Sequence, residues 1–197
     1  MKIAIGLIII ALWLYILYVT KRCKLYYGHF LVGSFGFFIF SMVWIRPLVL
    51  QPLACVVAAI AGVFGYLTKT FTAFFKYGIL FIYTDSSSLT LQIDFECSGI
   101  IEIIAFLALL LFFSVYSMKE RILLGTIGCI WILLANVLRI IVICELIYFL
   151  GADIYFIAHA IIGRIVFYVL SIFLYFYIFT KPQIIRTRLG KFSYGNN

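Results

Sequence analysis

Cys97, Arg139 and His159 are the residues whose types and spacing suit chemistry. A thiol attacks carbonyls, an imidazole takes and returns a proton, and a guanidinium holds a developing oxyanion. Their depth follows from the basic residues that end the apolar runs. Cys97 stands 22 residues before Lys119, Arg139 stands 18 after Arg121, and His159 stands 22 before Lys181. At 1.5 Å per helical residue these are about 33, 27 and 33 Å from one surface. The three therefore share a layer near the far edge of a hydrocarbon core of about 30 Å. Thiol, guanidinium and imidazole in one layer suit acyl transfer. Each also has a plainer reading: a cysteine acting as a small hydrophobe, an arginine snorkelling to the interface, a histidine satisfied by a carbonyl. The shared depth argues against all three plain readings holding together.

The elements that must position this layer are membrane helices. Of the 197 residues, 66% are hydrophobic and 11% charged, against about 45–50% and about 25% in soluble domains. A soluble enzyme, a nucleic-acid module and a disordered tail are excluded. The apolar runs are continuous, whereas an outer-membrane barrel would alternate. The expected fold is an all-α polytopic membrane helix bundle of about six transmembrane helices, one membrane domain over residues 1–197. The expected spans are 3–19, read as an uncleaved first span, then 30–45, 48–67, 98–118, 122–149 and 154–180. The fifth is long enough to tilt or emerge. Before the fourth span, residues 68–96 change character. They carry Lys69, Lys76, Asp85, Asp94 and Glu96, a turn at Thr84-Asp85-Ser86-Ser87-Ser88, and strict alternation over Leu89–Asp94. This predicts an amphipathic interfacial piece followed by a small extracytoplasmic hairpin on the membrane surface.

The net charge of +8, from 15 Lys+Arg and 7 Asp+Glu, is topogenic and suits anionic lipid headgroups rather than nucleic acid. Six spans with the basic tail inside put Lys2, Arg46, Lys119, Arg121, Lys181, Arg186, Arg188 and Lys191 in the cytoplasm, and Lys21, Arg22, Lys24, Lys69 and Lys76 outside. The first loop then violates the positive-inside rule. None of the five cysteines forms a CxxC pair, and the two histidines, His29 and His159, lie on different segments. No metal or cofactor is implied.

The segments Glu96-Cys97-Ser98-Gly99-Ile100, Asn136-Val137-Leu138-Arg139-Ile140 and His159-Ala160-Ile161-Ile162-Gly163 resemble the three signature motifs of the exosortase/archaeosortase family, membrane-embedded sortase-like cysteine transpeptidases of prokaryotes. The family pattern is ECSG, NxxR and HxxxG, each at the outer end of a span. The match covers about residues 96–163, in order, and the chain length is similar to the short Gram-positive-type branch. The resemblance implies that Cys97 is the nucleophile and that Arg139 and His159 assist. It implies a prokaryotic plasma-membrane enzyme whose site faces the extracytoplasmic side. The substrate would be a membrane-anchored protein with a C-terminal sorting signal. The acceptor would be a lipid or carbohydrate amine or hydroxyl, with water giving proteolysis.

Around the three, Asn136 shares a helix face with Arg139 and either holds the guanidinium or joins spans. Gly99 either admits substrate backbone or permits close helix packing. Gly163, four residues from His159, lies beneath the imidazole. Glu96 and Ser98 flank the thiol. A helix start lowers a thiol pKa, and Glu96 opposes that. Glu102 and Arg164 stand at equal depth, about 25 Å from the inner surface and about 140° around their helices from Cys97 and His159. They are expected to pair and clamp the fourth span to the sixth. Two other classes compete: a non-enzymatic transporter or envelope-assembly subunit with structural charges, and a thiol oxidoreductase using Cys144.

Overall fold

The computed structural model describes residues 2–84 and 87–188. The chain forms an all-α polytopic bundle with one small sheet. Helices α1 (Lys2–Arg22), α2 (Tyr26–Trp44) and α3 (Arg46–Thr68) come first. Strands β1 (Phe71–Phe74), β2 (Ile79–Thr84) and β3 (Ser87–Gln92) follow, then α4 (Ile100–Phe112) and α5 (Met118–Leu150). The last helix is built from α6 (Tyr155–Ile157), α7 (Gly163–Tyr175) and α8 (Lys181–Arg188), joined by π-helical turns at Ala158–Ile162 and Phe176–Thr180. Among the described residues, four helices are long and apolar enough to cross a membrane: α2, α3, α5 and the composite Ala152–Ile184.

Small residues let these helices approach. Phe112 lies against Gly33, and Phe106 against Gly128, so α4 wedges between α2 and α5. The Trp13 indole of α1 donates to the Val32 carbonyl at 2.9 Å, and that of Trp131 on α5 donates to the Leu170 carbonyl at 3.0 Å. A capping box starts α5: the Glu120 carboxylate accepts from the Ser117 backbone N–H at 2.7 Å. This stop shortens the helix before it. Instead of residues 98–118, α4 covers 13 residues, about 20 Å, and residues 113–117 form the corner.

The region before α4 differs from the expected hairpin. It is a three-stranded antiparallel meander in the order β1-β2-β3, and β1 lies inside the piece read as amphipathic and interfacial. Alternation gives the sheet one apolar face: Phe71, Leu80, Ile82 and Leu91 are buried, while Tyr83 and Thr90 are exposed. That face packs on α3 and α5 in one core with Ala54, Ala58, Ile140 and Ile147. The sheet therefore belongs to the protein interior on this side. Of the expected turn, Asp85 and Ser86 lie outside the described residues, as do tail residues 189–197, Lys191 included.

The ends of the bundle also differ from expectation. His29 and Phe30 of α2 meet Phe112 and Phe113, with ring centroids 5.9 and 6.4 Å apart. The Lys21–Lys24 corner therefore lies at the end that carries Lys119, Arg121 and Lys181. Arg46 lies at the opposite end, its guanidinium carbon 3.7 Å from the centroid of the Phe95 ring. Three of the basic groups, the Lys2 end of α1, the Lys21–Lys24 corner and Arg46, thus exchange ends relative to the six-span reading.

Candidate active site

The loop between β3 and α4 carries the thiol. Asp94 folds it into a tight turn: its Oδ1 accepts from the backbone N–H groups of Glu96 at 3.1 Å and Cys97 at 3.2 Å. The Ser98 hydroxyl donates to the Phe95 carbonyl at 3.2 Å and accepts from the Ile100 N–H at 3.4 Å, which closes the first turn of α4. Gly99 sits at φ +78°, a left-handed position that strains any other residue, and a Cβ there would press on Asn136 at 3.3 Å. The close-packing role of Gly99 is the one seen.

Three elements converge on Cys97, which is 1% exposed. Its Sγ lies 2.8 Å from His159 Nε2. From α5, Arg139 Nη2 points at the same sulfur from 3.9 Å, and Nη1 donates to the Glu96 carbonyl at 3.3 Å. Asn136 Nδ2 donates to the Cys97 carbonyl at 2.7 Å. Asn136 therefore grips the backbone of the Cys97 loop instead of the guanidinium. Arg139 Nε and Asn136 Oδ1 are buried and make no hydrogen bond within the protein.

His159 stands on the π-helical turn Ala158–Ile162, the kind of bulge that recurs at functional sites. Its ring stacks on Tyr155, with centroids 5.5 Å apart and planes 11° from parallel. Gly163 lets Ile143 of α5 come close, since an added Cβ would meet Ile143 Cδ1 at 2.7 Å. The last helix is thereby drawn onto α5, which brings the imidazole to the sulfur.

The thiol does not behave as one at a helix start. Burial pushes the Cys97 pKa up to about 11; Arg139 opposes the rise, and Asp94 and Glu96 add to it. Such a thiol is protonated near neutrality. The His159 imidazole lies within hydrogen-bond distance of it.

The expected pair of Glu102 with Arg164 is not present. Arg164 Nη2 reaches Glu96 Oε2 at 3.5 Å in an exposed contact. Glu102 lies instead within electrostatic reach of Arg139 and Tyr175. The regular-helix projection fails because a π turn intervenes. With roughly 4.4 residues per turn, five residues from His159 turn about 50° rather than about 140°, which swings Arg164 toward the His159 side. Cys144 is fully buried and, like the other four cysteines, free. Among the described residues no cluster of His, Cys, Asp or Glu could hold a metal ion. Sequence reasoning left out Asp94 as a site residue. The available signal was an Asp three residues before a Cys, the spacing at which a carboxylate can accept from the backbone of the following turn.

Residues 2–177 match a family model described as transmembrane exosortase. No curated protein and no solved structure matches the chain.

Proposed function

The chain belongs to the transmembrane exosortase family, so it is a multi-pass membrane protein of transpeptidase type, and from that premise we propose that Cys97 is its acylated nucleophile. The Sγ–H proton passes to His159 Nε2 as the sulfur attacks a peptide carbonyl of a membrane-anchored substrate near its C-terminal sorting signal. The tetrahedral oxyanion lies against Arg139, whose fork already points at the sulfur. Collapse breaks the C–N bond, the leaving amine takes the proton from the imidazolium, and a thioester remains on Cys97. An amine or hydroxyl of a lipid or carbohydrate acceptor then gives its proton to His159 and attacks the thioester. The new amide or ester departs, and the thiol is restored. Asn136 holds the Cys97 carbonyl, so the loop keeps its aim through both half-reactions.

The reading rests above all on the 2.8 Å contact between Cys97 Sγ and His159 Nε2, made by residues 62 positions apart in a layer that also holds Arg139. An extracytoplasmic site is supported by the gathering of Lys21, Arg22, Lys24, Lys119, Arg121 and Lys181 at the other end of the bundle. The test is capture of the thioester. Membranes from cells expressing the chain, treated with hydroxylamine, should release a truncated protein as its hydroxamate from Cys97 and none from the Cys97→Ala variant. Equal release from both would remove Cys97 from the reaction.

A further inference from the structure

We infer that α3, although long and apolar enough to span, lies along the membrane surface on the Cys97 side, with its outward face docked on the phospholipid headgroup–acyl boundary. The helix has 23 residues and is about 33 Å long. Its N-terminal residue is Arg46, over the Phe95 ring. Phe95 stands two residues before Cys97, and the carbonyls of Glu96 and Cys97 accept from Arg139 and Asn136. The start of α3 is therefore level with residues 136–139 of α5. At its other end, the Thr68 hydroxyl donates to Glu145 at 3.4 Å and the nearby Thr70 hydroxyl at 2.6 Å. Glu145 is six residues beyond Arg139, only about 9 Å farther along α5. A helix about 33 Å long whose ends differ by about 9 Å along α5, give or take side-chain reach, is steeply inclined to it. Helix α5 runs lengthwise against α4 and the last helix, so its axis follows the membrane normal. At that inclination α3 cannot cross a core of about 30 Å.

What covers α3 follows from its two sides. Ala54, Val57, Ala58, Ala61 and Gly65 are buried against the sheet and α5. Val56, Ile60, Val63 and Leu67 are exposed, and they fall within about 60° of one another around the helix. Arg46 stands at the start of this apolar stripe and Lys69, with the exposed Tyr66, at its end, while the exposed Lys76 and Tyr77 lie alongside the helix, where the Lys76 carbonyl accepts from Cys55 Sγ at 3.3 Å. Cations and tyrosines around an apolar stripe complement lipid phosphates above acyl chains. An inclined α3 also restores the charge rule. The chain leaves α2 and enters α4 on the same side, so the crossings are odd in number. The Lys21–Lys24 corner then shares a side with Lys119, Arg121 and Lys181, and the Lys2 end of α1 lies on the Cys97 side.

Depth measurement decides the matter. Single cysteines from Leu48→Cys, Val56→Cys, Ile60→Cys, Val63→Cys and Leu67→Cys, in a chain whose native cysteines are replaced, are labelled with bimane in phosphatidylcholine vesicles. Quenching is compared between lipids carrying a nitroxide near the headgroup and lipids carrying one near the acyl terminus. A similar shallow ratio at all five positions is expected. A ratio that deepens toward residues 56–60 and returns at 67 means that α3 crosses. Weak quenching by both lipids at all five means that protein covers the stripe. Either result overturns the proposal. In intact cells, an impermeant maleimide should label Lys69→Cys and Arg46→Cys and should reach Cys23 only after permeabilisation. Labelling of Cys23 together with protection of Arg46→Cys restores the six-span order and also overturns it.

Discussion

The two ends of the contact between α4 and the last helix are built on opposite principles. At the end nearer Lys181, Phe106, Phe113, Tyr175 and Phe179 form an aromatic cluster with edge-on centroid distances of 5.2–6.0 Å between Phe179 and Phe113 and between Phe106 and its partners Tyr175 and Phe179. The Tyr116 hydroxyl adds a hydrogen bond of 2.6 Å to the Ile178 carbonyl. At the Cys97 end the link is polar: the thiol–imidazole contact and one exposed ion pair. Apolar burial is non-directional and large, whereas the polar contacts are individually small and depend on geometry. The aromatic end therefore supplies most of the apolar burial between these helices, and the Cys97 end is joined by contacts that depend on geometry.

The largest effects separate the two ends. Cys97→Ala is expected to abolish processing of substrate in a gel-shift assay while the chain still accumulates in the membrane. Phe106→Ala, which removes a fully buried ring, is expected to cost about 3–5 kcal/mol of stability and to lower folded protein in a detergent-melting assay. The folded fraction should retain its turnover per molecule. If Cys97→Ala lowers accumulation as much as Phe106→Ala does, the division between a holding end and a reacting end fails.

Next comes Arg139. The proposed role needs a planar fork, with one nitrogen on the Glu96 carbonyl and another aimed at the sulfur. Lysine keeps the charge and loses the fork. Loss of one oxyanion donor costs about 2.7–4 kcal/mol in the barrier, so Arg139→Lys should slow the first half-reaction by about 10²–10³-fold in single-turnover release of the leaving peptide. Unchanged release would make Arg139 a membrane anchor and nothing more.

Asp94 sharpens the comparison by pH. With a Cys97 pKa of about 11, the thiolate fraction rises about tenfold per pH unit through neutrality. Alkylation of Cys97 by iodoacetamide in the His159→Ala variant should follow that slope from pH 7 to 10 without a plateau. Asp94 adds to the rise in thiol pKa, so Asp94→Asn in the same background should move the curve to lower pH and speed labelling at a given pH. The amide oxygen preserves the turn to the Glu96 and Cys97 N–H groups, and a purely structural Asp94 would leave the curve in place. The stability consequence has a definite sign. Because the folded-state pKa lies above the ordinary 9.0, the contribution of the protonated thiol is complete below pH 9 and is lost as pH rises toward 11.

The layer of Cys97, Arg139 and His159 was legible because depth is a one-dimensional quantity. Residue counts from Lys119, Arg121 and Lys181 measure height, and height alone places Cys97, Arg139 and His159 together. Direction around a helix and inclination are not carried by counting. The run Leu48–Leu67 has the length and hydropathy of a span, and nothing local shows that Thr68 and Thr70 hydrogen-bond to Glu145, more than 70 residues later. With α3 along the membrane surface, as inferred above, the sides assigned to Lys2, Lys21–Lys24 and Arg46 all reverse. Strand β1 was hidden for a related reason: Phe71–Phe74 is a short apolar run next to an apolar helix, and it becomes a strand only because β2 is present to pair with it.

The smallest effect concerns Arg164. Its pair with Glu96 is 3.5 Å long, with the two side chains 45% and 63% exposed. Exposed pairs contribute about 0–1 kcal/mol, so Arg164→Leu should barely change accumulation. Glu102, next to Arg139 in electrostatic reach, faces a different group. A double-mutant cycle of Arg164→Leu and Glu102→Leu should therefore be additive within about 0.5 kcal/mol, whereas Arg164→Leu with Glu96→Gln should show a small coupling. The pair sits beside the thiol–imidazole contact, so losing it loosens the polar end alone: the processing assay should show a change of a few fold at most, while detergent melting, which reads the aromatic end, should stay constant. Strong coupling between Glu102 and Arg164 would mean that the last helix is rotated from the position seen here, with His159 turned away from Cys97.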